Sequence, residues 1–179
     1  MRKPDDSIDP KGVAESLAGP VNLPIGCTYG ANAFTAAGAH RVLHEKERRN
    51  LISTDVEHTL HAYLGGTCRN RDSPALAIGG TANHVHLLIS LSKNIALSDL
   101  MMILKKDSSK WIKTRGSAFV DFHWQDGYGA FSIGESQVGA VTDYIRGQKE
   151  RHKSMSFEDE VVALAERYNV AFDARYLWT

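Results

Sequence analysis

The sequence predicts one domain in which a small β-sheet packs against helices, an α/β or α+β sandwich. Two observations carry this prediction. From Lys46 onward, segments with strand patterns interleave with segments with helical patterns. The chain of 179 residues, 42% of them hydrophobic, is long enough to bury a core without disulfides.

The first predicted elements are a helix and two strands. Residues 54–64 form a helix that Ser53 or Thr54 caps and Gly65-Gly66 ends. Residues 74–79 read as a short strand closed by a second glycine pair, and residues 84–91 read as a strong apolar strand. We therefore expect adjacent strands after the first helix.

The later elements are mainly helical. Apolar residues at positions 97, 100, 101 and 104 predict a helix that continues to about residue 115. Residues 119–133 read as strand and loop, and residues 138–151 as a helix. The last helix, 156–168, opens with Ser156 as cap and Asp159 three positions later, a variant of the capping box.

Residues 1–45 differ from the rest of the chain. Glycine, alanine and proline interrupt them repeatedly, and residues 21–45 contain no alternating apolar run of strand length. We therefore divide the chain into an atypical segment, 1–45, and a patterned domain, 46–179.

Composition limits the classes of partner. The net charge is zero, so any contact with nucleic acid must use local basic patches. No apolar run is long enough to cross a bilayer, and no signal-peptide pattern is present. Cys27 and Cys68 match no zinc or redox spacing. We expect a cytoplasmic protein without membrane contact.

His84-Val85-His86 is the sharpest candidate site. Residues i and i+2 of a strand point to the same face, so the two imidazoles can converge on one divalent ion while Val85 points into the core. A pair of strand histidines without a ligand role is the alternative, and it is the more common one for this pattern alone.

Tyr144 and Gln148 form the second candidate pair. They are four residues apart on a predicted helix and share a face. A phenol can attack phosphorus when its proton is removed or the phosphate is polarised by a metal ion. Gln148 offers a neutral oxygen as a third metal ligand, and imidazoles with an amide oxygen suit Mg²⁺ or Mn²⁺. Taken alone, Tyr144 is more often a packing residue.

Together with these pairs, further segments carry a resemblance. The chain resembles HUH-type single-tyrosine transposases of small insertion sequences, which include the REP-associated tyrosine transposases. The matching segments, in family order over about residues 46–179, are Asn83–Ser90, Leu97–Leu100, Lys106–Ile112, His123–Ser132, Tyr144–Gln148 and Tyr176–Trp178.

The resemblance implies a ferredoxin-like (RRM-like) antiparallel sheet with helices on one face. It implies that His84, His86 and Gln148 hold a divalent metal, Mg²⁺ or Mn²⁺, and that Tyr144 is the nucleophile. Tyr144 would attack single-stranded DNA, form a 5′-phosphotyrosine link and leave a 3′-hydroxyl that later rejoins a strand. It further implies DNA hairpins as partners and a homodimer in which one subunit's tyrosine helix can complete the other's site.

The helix at 97–115 is a candidate DNA-binding surface. Its cations outnumber its acids by three, which suits phosphate contacts, although a solvated face is an equal alternative. These cations are Lys105, Lys106, Lys110, Lys113 and Arg115. Trp111 and Trp124 could stack on bases, but a core position is the more common role. We expect His152 and Arg151 at the surface.

The chain departs from the family before Lys46. The family begins with a central apolar strand, and residues 21–45 contain no such pattern. One hypothesis is that this stretch is translated out of frame, with the correct frame regained near Lys46, so that the chemistry stands on a scaffold that folds poorly. Disorder of the segment is another, and an inactive transposase remnant is an alternative function. Two other functions remain open: a non-catalytic module that binds single strands, and a small metal-dependent hydrolase in which Tyr144 is a bystander.

Overall fold

The structure, a computed structural model, describes residues 38–44, 49–125 and 128–167. Its centre is a four-stranded antiparallel sheet in the order β2-β3-β1-β4. The strands are β1 (Gly38–His44), β2 (Ala75–Gly80), β3 (His84–Ile89) and β4 (Gly129–Ile133). All six residues of β3 are buried, because the sheet is covered on both faces.

One face of the sheet carries α1 (Thr54–Arg69) and α2 (Leu97–Lys113). Val85, Leu87 and Ile89 of β3 point to this face and share its core with apolar residues of both helices. The element order β1-α1-β2-β3-α2-β4 and the strand order confirm the expected α+β, ferredoxin-like fold.

The opposite face carries a second helical layer. It consists of α3 (Val138–Arg146), the short α4 (Gln148–Arg151) and α5 (Phe157–Arg167). Leu88 of β3 packs here with Val141, Ile145 and Phe157. We expected helices on one face of the sheet, and α1 and α2 occupy that face. The helices α3, α4 and α5 cover the other face as well.

The expectation that no strand precedes Lys46 is wrong for residues 38–44. β1 lies in the middle of the sheet, with Val42 opposite His86 on β3 and His40 opposite Phe131 on β4. A central strand is hydrogen-bonded on both sides, so pairing specifies it without a long alternating apolar run. The frame-change hypothesis therefore stays a prediction only for residues 1–37, which lie outside the described residues.

Several predicted boundaries also shift. α1 runs through Gly65-Gly66 to Arg69, because Leu64 and Cys68 lie one turn apart and are both buried. The predicted helix 138–151 is divided at Gly147 into α3 and α4. The Tyr176-Leu177-Trp178 segment lies outside the described residues. Within the described ranges, no helix is long and apolar enough to cross a membrane.

Candidate active site

His84 and His86 lie on the sheet face that α3, α4 and α5 cover. Both side chains are fully buried, and their ring centroids are 5.0 Å apart. Val85 points to the opposite core, as the strand period predicts. The two imidazoles therefore face one interior space.

Tyr144 and Gln148 come to this space from α3 and α4 of the same chain. The Tyr144 ring lies 6.0 Å from that of His86, centroid to centroid, and Gln148 is buried. The end of α3 packs directly on β2, where a Cβ on Gly79 would lie 2.3 Å from the carbonyl oxygen of Ile145. The four residues predicted from the sequence are thus brought together within one subunit.

Glu160 of α5 lies at the centre of the cluster and was missed by the sequence analysis. It is only 1% exposed. The Tyr144 hydroxyl and the Gln148 amide, the latter at 2.8 Å, both donate hydrogen bonds to its Oε1. A signal existed: Phe157, Glu160 and Leu164 follow the apolar spacing of an amphipathic helix, so the carboxylate occupies a core position of α5.

The second oxygen of Glu160 faces three imidazoles. Its Oε2 lies 3.3 Å from Nε2 of His86, 3.6 Å from Nε2 of His84 and 2.9 Å from Nε2 of His152. The expectation that His152 is a surface histidine is wrong, because the turn after α4 directs it inward and leaves it 12% exposed. Arg151 also turns toward the site, with its guanidinium 4.5 Å from the Tyr144 ring centroid.

The hydrogen bonds of His84 define which of its ring nitrogens carries the proton. Its Nδ1 lies 2.8 Å from Oδ1 of Asn83 and 3.0 Å from Oγ1 of Thr81. The Asn83 oxygen can only accept, so Nδ1 carries the proton and Nε2 presents a lone pair to the cluster. Burial and the neighbouring charge of His86 lower the pKa of His84 to about 3, so the ring is neutral at physiological pH.

Tyr144 and Glu160 hold opposite protonation states. Burial and the negative charge of Glu160 raise the pKa of the Tyr144 phenol above its ordinary value. Burial acts to raise the pKa of Glu160, but the charge of His86 and hydrogen bonds from His152 and His86 outweigh it and lower that pKa. The resting cluster therefore contains a carboxylate and a neutral phenol.

The donor set fits a divalent metal ion. Ligand atoms of His84, His152 and Glu160 all lie within 4.8 Å of one another. Nε2 of His84 and Oε1 of Gln148 are buried and have no hydrogen-bond partner among the described residues. Imidazole nitrogens with carboxylate and amide oxygens are a common ligand set for such ions. The buried lone pairs would be satisfied by a cation.

The cationic helix α2 lies on the other face of the sheet. Lys105 donates to the Gln125 carbonyl at 2.7 Å, and Lys113 lies 3.1 Å from Nε2 of His123. Arg115 lies 4.3 Å over the Trp111 ring. The side chains of Lys106 and Lys110 are exposed. A groove of about 440 Å³ lies beside Lys106. It is lined by Ser98, Met101, Met102, Lys105, Lys106, Ser109, His123, Trp124, Gln125 and Tyr128.

The aromatic residues near α2 are mainly structural. Trp124 is 5% exposed and its indole donates to Ser108 at 2.8 Å, so base stacking by this ring is excluded in this arrangement. Trp111 is half-buried and stacks on Tyr63 with a centroid distance of 5.0 Å. Phe131 is buried, while Tyr128 is 36% exposed at the groove.

Comparisons with known proteins agree with this arrangement. A family model described as IS200-like transposase matches residues 33–148, more than half of the chain. A REP-associated tyrosine transposase solved with a REP hairpin is similar in structure, at 15% identity and a TM-score of 0.54, over 83% of this chain and 96% of that one.

A second solved structure, of a protein from Deinococcus radiodurans R1 named as a candidate transposase, is similar at 17% identity and a TM-score of 0.52. It covers 68% of this chain and 96% of its own. At these identities the two structures establish the fold alone. No curated protein matched the chain in a sequence comparison.

Proposed function

This chain belongs to the family of IS200-like transposases, and we propose on that premise that it cuts and rejoins single-stranded DNA with Tyr144 as nucleophile. One observation carries the proposal. Tyr144, His84, His86 and Gln148 come from a helical layer and a strand far apart in sequence, yet they line one buried space. A packing role alone would not require this combination of side chains.

The proposed reaction is a transesterification. The phenolic oxygen of Tyr144 forms a bond to the scissile phosphorus, and the bond from phosphorus to the 3′-oxygen breaks. The phenol loses its proton and the departing 3′-oxygen gains one. The products are a 5′-phosphotyrosine and a 3′-hydroxyl, and a second 3′-hydroxyl displaces the tyrosine to reseal a strand.

The residues around Tyr144 prepare this step. The phenol already donates a hydrogen bond to Glu160, which gives its proton an acceptor. We propose that His84, His86 and Gln148 hold Mg²⁺ or Mn²⁺. When bound, the ion supplies Lewis-acid polarisation of the scissile phosphate. The raised pKa of the phenol accounts for the need for such assistance, because a neutral phenol is a weak nucleophile.

The proposed substrate is single-stranded DNA that carries a hairpin, by analogy with the similar structure solved with a REP hairpin. The exposed Lys106 and Lys110 of α2 are suited to phosphate contacts. Lys105 and Lys113 lie on the same helix, and Arg115 follows its end. A homodimer remains a proposal. Tyr144 contacts Glu160 of its own chain, and we propose that the site forms without a partner's tyrosine helix.

A covalent-adduct assay tests the function. The purified protein is incubated with hairpin-containing single-stranded DNA and Mn²⁺, and adducts are resolved on a denaturing gel. We expect an adduct with the wild-type protein and with the control Tyr63→Phe, whose half-buried ring stacks on Trp111 and keeps that contact. We expect none with Tyr144→Phe.

The other outcomes separate the alternatives. Cleavage without an adduct would indicate a metal-dependent hydrolase. DNA retention without cleavage would indicate a binding module or an inactive remnant. His84→Ala should abolish cleavage but keep hairpin binding, because His84 lies on the sheet face opposite α2. An equal loss of binding would identify His84 as a structural residue.

A further inference from the structure

We propose that Glu160 is a direct ligand of the metal ion, in addition to the residues that the family pattern supplies. The proposal rests on the proposed function, because it concerns the same metal. Glu160 reaches the cluster from α5, outside the matched residues 33–148. The ion would therefore join α5 to β3.

The distances between donor atoms fit a shared ion. Two ligands that each lie about 2.1 Å from an ion and subtend 90–110° are about 3.0 to 3.4 Å apart. Oε2 of Glu160 lies 3.3 Å from Nε2 of His86 and 3.6 Å from Nε2 of His84. The distance to His86 falls within this range, and the distance to His84 is about 0.2 Å above it.

For His84 and Glu160, the proton position supports a shared ion over a direct hydrogen bond. The Nδ1 proton of His84 is donated to Asn83, so its Nε2 carries a lone pair. That lone pair faces a carboxylate oxygen in a fully buried place, and neither atom can donate to the other. Two buried acceptors that face each other repel, and a cation between them removes the repulsion.

The remaining neighbours orient the carboxylate. Gln148 and Tyr144 donate to Oε1, which leaves Oε2 directed at the imidazoles. His152 lies 2.9 Å from Oε2, a hydrogen-bond distance, and acts as a positioning residue for it. With Glu160 included, the ion has an anionic ligand that offsets part of its charge inside the protein.

Mn²⁺ binding to the full-length chain tests the proposal. Calorimetry measures the Kd, and the relaxation of bulk water protons reports how many water molecules remain on bound Mn²⁺. For Glu160→Ala we expect a Kd more than about 100-fold higher, beyond the effect of an outer contact, and higher relaxivity as water replaces the carboxylate. The control Glu166→Gln, exposed on the same helix, should match the wild type.

Two further variants complete the test. His152→Ala should weaken binding by about 10- to 100-fold without adding a water ligand, as expected of a positioning residue. If Glu160→Ala does not fold, as judged by circular dichroism, Glu160→Gln keeps the volume and should raise the Kd by at least about tenfold.

The outcomes for Glu160 and for the function are separable. A folded Glu160 variant with wild-type Kd and relaxivity, alongside loss of binding in His84→Ala, would overturn the Glu160 assignment and leave the transposase proposal intact. The expected loss of Mn²⁺ binding in Glu160→Ala, with no DNA adduct from the wild type, would support Glu160 as a metal ligand and refute the proposed DNA cleavage. A wild type that binds no Mn²⁺ would overturn the ligand assignment.

Discussion

Gly79 of β2 and Ile145 of α3 touch through their backbones. A Cβ built on Gly79 would lie 2.3 Å from the Ile145 carbonyl oxygen and 3.0 Å from its Cγ2 atom. Tyr144 directly precedes Ile145, so this contact fixes the depth at which the phenol enters the site. Only glycine permits the approach, because backbone cannot yield as a flexible side chain can.

We expect Gly79→Ala to lower the free energy of unfolding by about 1–3 kcal/mol through overpacking and to reduce adduct formation more than tenfold. The matched control is Gly66→Ala in α1, where an added Cβ meets no atom within 4 Å. It should stabilise the protein by up to about 1 kcal/mol. Urea denaturation and the adduct assay measure both effects, and equal behaviour of the two variants would contradict the packing argument.

The buried indole of Trp124 depends on Ser108 for its hydrogen bond, at 2.8 Å. Ser108→Ala leaves that N–H without its acceptor and should cost about 1–3 kcal/mol in unfolding free energy. The same substitution made in a Trp124→Phe background should cost clearly less, since the donor is already gone. Additive losses across this double-mutant cycle would show that the bond contributes nothing.

Lys106 and Lys110 should contribute to DNA affinity through phosphate contacts. Replacing both by glutamine should reduce the slope of log K against log salt by about 1.4 to 1.8, since each contact on single or double strands contributes about 0.7 to 0.9. Fluorescence anisotropy over a salt series measures this slope. Lys93→Gln, an exposed lysine outside α2, serves as control, and an unchanged slope in the double variant would place the DNA elsewhere.

The thiol of Cys68 should be inert in the folded protein. Burial raises its pKa to about 11 and it is fully buried, so little thiolate forms at pH 8. In a Cys27→Ser background, a thiol reagent should label Cys68 only as the chain unfolds in urea. Because the folded pKa lies above the unfolded one, the contribution of this thiol to stability falls as pH rises through the range from 9 to 11. Rapid labelling without denaturant would contradict the buried position.

The proposal that each site forms within one chain predicts the behaviour of mixed variants. Tyr144→Phe and His84→Ala proteins, unfolded and refolded together, should not regain adduct formation, because each chain lacks one half of its own site. Recovery of a substantial fraction of wild-type adduct would mean that subunits exchange their tyrosine helices.

Local periodicity predicted which residues share a face. The strand period paired His84 with His86, and the helical period paired Tyr144 with Gln148. Neither the strand period nor the helical period predicts that β3 and α3 are in contact. That expectation came from the family resemblance, since contacts between distant elements depend on packing that a single sequence does not encode locally.

Glu160 and β1 were missed for physical reasons. The carboxylate belongs to the buried stripe of α5. A charge at such a position gains its partners only when four side chains from three other elements, and His152 from the turn after α4, surround it. β1 starts with Gly38-Ala39, which are poor strand formers, and its place depends on pairing with β3 and β4 on both sides.

The burial of the central cluster has a kinetic consequence. His84, His86, Gln148 and Glu160 are each exposed by no more than 1%, and a polynucleotide is too bulky to reach atoms so enclosed. The proposed strand scission therefore needs the helical layer over these residues to open, and an ion held between Glu160 and β3 would oppose that opening. A covalent cross-link that holds α5 against the sheet would then stop the proposed scission, while the enclosed residues kept their positions.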